Sequence, residues 1–377
     1  MVKSYLKNLK TWVEIDIKAI KYNYKILRSL ISRKTKLMAV VKSNAYGHGL
    51  VSLSKIMQKL GADYFGVDDI DEALVLRKNG IKKSILVFGY IPEGRINDAI
   101  THNISITVSN FETFNKLKKL KNKIKIHLKV DTGLGRQGFL IDQVHRVIKF
   151  IKQNKNIKFE GLYTHFAGIE SKKFIQHTKK QITEFNIYRN ILKSEGFDPI
   201  IHVSPSAGLL LYPEYNFDMV RAGISIYGLW PSKEIEKSAL TKRIKLRPVL
   251  SWKSVVCEIK KLPKGNSIGY DRTEILKKNS KVAVIPIGYW HGYRRNLSSF
   301  NEVVISGKKA KVLGRVSMDM MVVDITSISK AKVGDEVILI GKSGKQEIKV
   351  DDLAKLSGTI NYEFVTQINP NITRIYK

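Results

Sequence analysis

Apolar and polar positions alternate in blocks through the first 230 residues. Eight short apolar runs recur: Lys36–Lys42, Ala62–Asp68, Ser84–Tyr90, Ile104–Ser109, Lys123–Val130, Phe159–Phe166, Ile200–Ser204 and Phe217–Tyr227. Most are continuous rather than alternating, as in strands buried on both faces. Helical periodicity lies between them, at Ile70–Lys78, Phe111–Leu120, Asp142–Gln153 and Phe174–Glu195. A β/α unit repeating about every 25 residues predicts a (β/α)8 TIM barrel over residues 14–245. An open doubly wound sheet competes, but no Gly-rich dinucleotide fingerprint follows the first strand.

The pattern changes at Leu246–Pro248. Beyond it, strands predominate: Leu250–Ile259, Lys281–Tyr289, Glu302–Ile305, Lys311–Val316, Met321–Ile325 and Glu336–Ile340, separated by turn clusters such as LPKGN and GKSGK. One short helix fits Val350–Ser357. This predicts a mainly β domain over 246–377, joined by an alternating strand at Thr11–Ile17.

Composition narrows the class. Apolar residues make up 43% of the 377 and charged residues 26%, ordinary globular values that exclude a disordered chain. One cysteine, Cys257, excludes an internal disulfide framework and a cysteine-built zinc site, and no metal is expected. No apolar run reaches the roughly 18 residues of a membrane span. Met1–Lys10 lacks an apolar signal core, so a cytoplasmic enzyme is expected. The net charge of +33 invites a nucleic-acid reading, but 51 of the 66 basic residues are Lys, spread along the whole chain. Specific readers favour Arg forks, so the expectation is a solvated basic surface that attracts anions, not a specific nucleic-acid or membrane partner.

Catalytic residues of a barrel project from the C-terminal strand ends. The first run ends at Lys42. There the stem is either desolvated, favouring a neutral nucleophilic amine for a Schiff base, or it snorkels to solvent. The fifth run leads into Lys129-Val130-Asp131 and a Gly-rich loop carrying Arg136, a suitable clamp for a carboxylate or phosphoryl group. Lys129 and Asp131 share a face and alternatively form a structural ion pair. His165 lies at the end of the sixth run, just before Phe166, and is either structural or functional. Ser206 follows the seventh run, and Arg221, Gly223 and Ile224 mark the eighth, where barrels commonly hold phosphate.

The motifs AVVKSNAYGHG (39–49), HLKVDTGLGRQG (127–138), EGLYTHFA (160–167), VRAGISIYG (220–228), GYDRT (269–273), PIGYWHGY (286–293), GRVSMDMMVVDIT (314–326), VGDEVILIG (333–341) and GTINYE (358–363) together resemble the alanine racemase family. The likeness runs nearly end to end. It implies a barrel plus β-domain, pyridoxal 5'-phosphate as cofactor, a homodimer with shared active sites, and interconversion of L- and D-alanine to supply D-alanine for peptidoglycan.

By the same resemblance, Lys42 carries the cofactor and is one of two acid–base catalysts. Tyr270 is the other, contributed by the partner subunit to the opposite face. Inversion requires two bases, because one base on one face returns mostly the starting isomer. His165 supports the tyrosine, and Arg221 links it to the pyridine nitrogen. An arginine there donates to an unprotonated nitrogen and limits delocalisation into the ring. Tyr46, Ser206, Gly223, Ile224 and Tyr362 match the phosphate ligands. Arg136, Met318 (through its backbone N–H, from the other subunit) and Tyr289 match substrate contacts. Lys129, often carbamylated in the family, and Asp319 stand behind them.

Pro205, Ala222, Trp290-His291 and Asn371 depart from the usual pattern. Pro205 removes a donor beside the phosphate site, and Trp290-His291 bear on substrate range. Alternatives are a broad-specificity amino-acid racemase, a decarboxylase of basic amino acids and a lone-barrel cofactor carrier. Tyr270 and Arg221 oppose the decarboxylase; the β-domain and Tyr270 oppose the carrier.

Overall fold

The structure is a computed structural model and describes residues 8–377. Most of the Met1–Lys10 segment weighed as a signal sequence therefore lies outside the described residues. Among the described residues, no helix is long and apolar enough to cross a membrane.

The chain forms two compact units. One comprises Ala19–Ala45 and Leu50–Pro248; the other comprises the segment ending at Lys18, Tyr46–Gly49 and Val249–Lys377. The first strand, β1 (Thr11–Ile15), belongs to the second of these.

The first unit carries β2 (Lys36–Val40), β3 (Tyr64–Val67), β4 (Ser84–Val87), β5 (Ser105–Val108), β6 (Ile124–Lys129), β7 (Ile157–Tyr163), β8 (Ile200–His202) and β9 (Met219–Ala222). All are parallel, and they hydrogen-bond in the order β8-β7-β6-β5-β4-β3-β2-β9. The ring is completed between β8 and β9 by Asp218 N–H to the Ile201 carbonyl (3.1 Å) and Arg221 N–H to the Ser204 carbonyl (2.9 Å). The barrel expectation therefore holds, and the open sheet does not. A helix follows every strand, the longest being Ile175–Ser194. The eighth strand is shorter than its apolar run, because the chain turns at Gly223–Gly228.

The leading helix Ile17–Ser29 was not expected. Its buried face is Ala19, Ile20, Asn23, Tyr24 and Leu27. Asn23, placed inward, fastens the end of the unit: its amide donates to the Ile226 and Arg247 carbonyls and accepts from Arg247 N–H. A polar residue in that register hides the amphipathic period.

The β unit holds β10 (Leu250–Val255), β11 (Glu258–Leu262), β12 (Ser267–Ile268), β13 (Glu274–Ile275), β14 (Ser280–Ile285), β15 (Glu302–Ile305), β16 (Lys308–Leu313), β17 (Met321–Asp324), β18 (Glu336–Ser343), β19 (Gln346–Ile348) and β20 (Arg374–Tyr376). The large sheet runs β11-β14-β17-β16-β15-β18-β10-β1-β20, with β19 on β18. The single strand expected over Leu250–Ile259 is two strands. β10 pairs with β1 and β18, whereas β11 pairs with β14, so the chain changes neighbours at Val256–Cys257. β1 lies antiparallel to β10 and parallel to β20. Leu250, Trp252 and Ser254 of β10 face inward, and Trp252 Nε1 donates to Thr11 Oγ1 at 3.1 Å.

Candidate active site

Polar and cationic residues collect at the C-terminal ends of the barrel strands. The segment after β2 has an unusual backbone. Ser43, Asn44, Ala45 and Tyr46 all sit at φ of 52–55°, followed by Gly47 at φ 79°. A left-handed residue other than glycine costs about 1–2 kcal/mol, so this run stores several kcal/mol of strain. It is pinned by named contacts. Ala45 N–H donates to the Val41 carbonyl, Asn44 N–H to Glu72 Oε1 (3.0 Å), and Leu50 N–H to Asn44 Oδ1 (2.9 Å). Within the β unit, a Cβ on Gly47 would lie 2.1 Å from the Val365 carbonyl oxygen.

Lys42 opens this turn. Of the two readings left open for its stem, the exposed one fits: β2 stops at Val40, and the Lys42 side chain is 39% exposed with its ammonium 3.2 Å from Asp68 Oδ1. Asp68, two residues before the helix Ile70–Lys78, was not foreseen as its partner.

Lys129 ends β6, almost fully buried, and donates to the Gln137 carbonyl at 3.0 Å. Asp131 instead accepts from the backbone N–H groups of Gly133, Leu134, Gly135 and Arg136 at 2.9–3.2 Å. The two are therefore not a direct ion pair; Asp131 staples the loop that presents Arg136. Burial, then the fields of Arg136 and Arg221, push the Lys129 ammonium down to about 8, against a smaller opposing pull from Asp131.

Arg221 on β9 is buried. Its Nη1 donates to His202 Nδ1 (2.9 Å) and the His202 carbonyl (2.6 Å). Its Nη2 donates to the Thr164 and Val203 carbonyls (2.8 and 3.0 Å) and to His165 Nδ1 (3.2 Å). Burial lowers the guanidinium to about 10. His165 is held far below the usual imidazole range, by burial first and then by Arg221, Arg136, Lys129 and Lys42. Those four cations converge on one imidazole, which is thereby kept neutral. Because Arg221 only donates, the His165 proton sits on Nε2, making that nitrogen a donor.

Ser206 begins the helix after β8 and is buried. Its Oγ accepts from Gly223 N–H and Ser225 Oγ, both at 3.0 Å, so Ser206 and Gly223 adjoin, with Ile224 next in sequence. Pro205 precedes the helix without a side-chain cap.

Within the β unit, Tyr46 and Tyr362 adjoin, with ring centroids 6.1 Å apart. Three loops meet around Arg315–Met318. Arg315 pairs with Asp271, beside Tyr270; Tyr289 N–H donates to the Ser317 carbonyl and Trp290 N–H to the Met318 carbonyl. Tyr270 and Met318 are 63% and 54% exposed, and Tyr289, Trp290 and Met320 are exposed beside them. Asp319 lies 3.9 Å from His291 Nδ1, the histidine that departs from the family pattern. The sequence-derived residues thus fall in two groups: Lys42, Lys129, Arg136, His165, Ser206, Arg221, Gly223 and Ile224 on the barrel, and Tyr46, Tyr270, Tyr289, Met318, Asp319 and Tyr362 on the β unit.

Sequence reasoning missed the residues behind Arg221, namely His202, His127 and Glu160. The available signal was parity: in Ile124–Lys129, Lys125, His127 and Lys129 alternate, and the last two are buried.

Comparison with known proteins agrees over nearly the whole chain. Residues 15–231 match the family described as alanine racemase, N-terminal domain, and residues 249–376 match alanine racemase, C-terminal domain. The second match disfavours a lone-barrel carrier. Alanine racemase of Methanococcus maripaludis is 42% identical over 371 residues, 97% of this chain and 98% of that protein. Alanine racemase of Methylacidiphilum infernorum is 37% identical, covering 99% and 94%. The crystal structure of the Bacillus anthracis alanine racemase with bound L-Ala-P superimposes with a TM-score of 0.93 at 36% identity, covering 98% of this chain and 95% of that one. Fold, motif order and full-length similarity agree, and the chain belongs to the alanine racemase family.

Proposed function

We propose that this protein interconverts L- and D-alanine, with pyridoxal 5'-phosphate held on the barrel and a second copy of the chain completing each site. The observation that carries this reading is the Arg221 fork. Both Nη groups are committed to protein acceptors, which leaves Nε–H without one among the described residues. A pyridine nitrogen is an acceptor that suits it. The remaining donors fit the same cofactor: an amine on Lys42 for its carbonyl carbon, and for its phosphate the Ser206 hydroxyl and the Ile224 amide, joined by the Gly223 amide once it leaves Ser206 Oγ. When bound, the cofactor supplies the electron sink that makes the α-hydrogen of an amino acid acidic.

The chain's own residues do the rest. Lys42 takes and returns the α-proton on one face. Tyr270 of the second copy does so on the other, with the Nε2–H of His165 as a donor to its phenolate oxygen. Arg136 holds the substrate carboxylate together with the Met318 N–H of the second copy, and Tyr289 narrows access to alanine-sized side chains. Asp319 stands behind these groups. The neutral fraction of Lys129 is the form that adds CO2, its N–H proton passing to solvent, and the resulting carbamate would orient Arg136. The exposed Tyr270, Met318 and Tyr289 surface is what a homodimer would cover.

The test is a chiral assay of purified, cofactor-loaded protein with L-alanine, L-serine and L-lysine. Racemisation of alanine with little turnover of the others is the expected result. Comparable turnover of all three would favour a broad racemase; none would overturn the reading.

A further inference from the structure

The barrel interior below Arg221 is polar where barrels are usually filled by branched apolar side chains. Arg221 Nη1 donates to His202 Nδ1 at 2.9 Å. His202 Nε2 lies 2.9 Å from His127 Nδ1. His127 Nε2 lies 3.3 Å from Glu160 Oε2. Ser105 Oγ donates to the same oxygen at 2.5 Å, and Lys125 Nζ lies 3.9 Å from Glu160 Oε1. Both histidines are fully buried.

The proton positions follow from the chemistry. An arginine cannot accept, so His202 must carry its proton on Nε2. That proton is donated to His127 Nδ1, so His127 must also be the Nε2–H tautomer. Its proton in turn meets a carboxylate. Every hydrogen bond therefore points one way, from Arg221 to Glu160. Burial keeps both imidazoles neutral. Burial alone would raise the Glu160 carboxyl, but the bonds from His127 and Ser105 and the charge on Lys125 outweigh it and hold the group at about 2.

Two backbone features are built around this chain. β6 and β7 pair as Ile126 with Phe159 and then His127 with Gly161, so Glu160 is the extra residue of a bulge. A bulge re-aims a side chain that would otherwise follow the strand's alternation. The next residue must be glycine: a Cβ on Gly161 would lie 2.1 Å from His127 Nδ1.

We propose that Glu160, His127 and His202 are positioning residues that hold and polarise Arg221. The carboxylate supplies, through two neutral imidazoles, the counter-charge that a buried guanidinium otherwise lacks. The relay fixes both Nη donors and so fixes where Nε–H is presented. It rests on the racemase reading for its consequence, but not for its existence. Other charged groups reaching the relay are Lys36 on β2, which acts on His127, and Tyr64 on β3, whose phenol is pushed up to about 12 by burial first and then by Glu160.

The test uses full-length protein labelled with 15N-histidine. Two-bond proton–nitrogen spectra read the tautomers directly, with and without pyridoxal phosphate. The expected result is Nε2–H at His127, His202 and His165 from pH 6 to 8. Glu160→Gln keeps shape and removes charge. It should shift the His202 nitrogen signals two links away and lower kcat roughly ten-fold, the scale seen when an outer partner of a functional histidine is lost, with KM little changed. An Nδ1–H tautomer or an imidazolium at His127 or His202 in the unsubstituted protein overturns the relay. So does a Glu160→Gln protein that loses thermal stability while His202 signals and kcat stay put. Intact tautomers in a protein that racemises nothing would instead count against the racemase reading alone.

Discussion

Replacing Tyr270 with phenylalanine isolates one oxygen. The side chain is 63% exposed in the single chain and lies between Gly269 at φ 73° and Asp271 at φ 58°. Its hydroxyl makes no hydrogen bond within the described chain, so Tyr270→Phe should change folding stability by no more than about 0.5 kcal/mol. Any loss of activity is then chemical. Removing an acid–base group costs roughly 100- to 10,000-fold, or about 2.7–5.4 kcal/mol of barrier. The assay is α-proton exchange in deuterated water, followed by NMR separately from L- and D-alanine. With one base on each face, exchange of one isomer should fall by that factor and exchange of the other far less. Equal suppression of both would mean a structural tyrosine. No suppression would remove Tyr270 from the mechanism.

Other outcomes are equally specific. Borohydride reduction followed by peptide mapping should place the pyridoxyl group on Lys42; a different lysine would break the site assignment. On the proposed reading Ser206→Ala removes a donor to the cofactor phosphate, and at about 1.5–3 kcal/mol for such a bond cofactor affinity should fall roughly 10- to 150-fold in an equilibrium titration. Lys129, lowered to about 8, is neutral in the folded state over a range where the unfolded lysine still binds a proton, so it makes stability rise with pH between about 8 and 10.5. At fixed CO2 its carbamate, read by 13C NMR with labelled bicarbonate, should grow from pH 7 to 9; a signal flat over that range would contradict the lowered ammonium.

The barrel was legible because its strands are buried on both faces and read as continuous apolar runs. The same rule hid its interior. In β6 the alternation of Ile124, Ile126 and Leu128 with Lys125, His127 and Lys129 reads like a strand half in water, yet His127 and Lys129 are buried inside the barrel. Glu160 reaches His127 only through a bulge, which no local pattern announces. Lys42 was found for its place after an apolar strand, but a left-handed turn and Asp68, rather than desolvation, distinguish it. The break at Val256–Cys257 was missed because a change of strand partner leaves the alternation almost undisturbed.

The central claim is that each site needs Lys42 from one chain and Tyr270 from another. Lys42→Ala and Tyr270→Ala proteins, each inactive alone, should be mixed under conditions of subunit exchange. In a hybrid dimer one site carries both defects and the other neither. With random exchange half the dimers are hybrids, so racemase activity should recover to about a quarter of the unsubstituted level. No recovery, with hybrids demonstrated by mass spectrometry, would show that each site is built from a single chain.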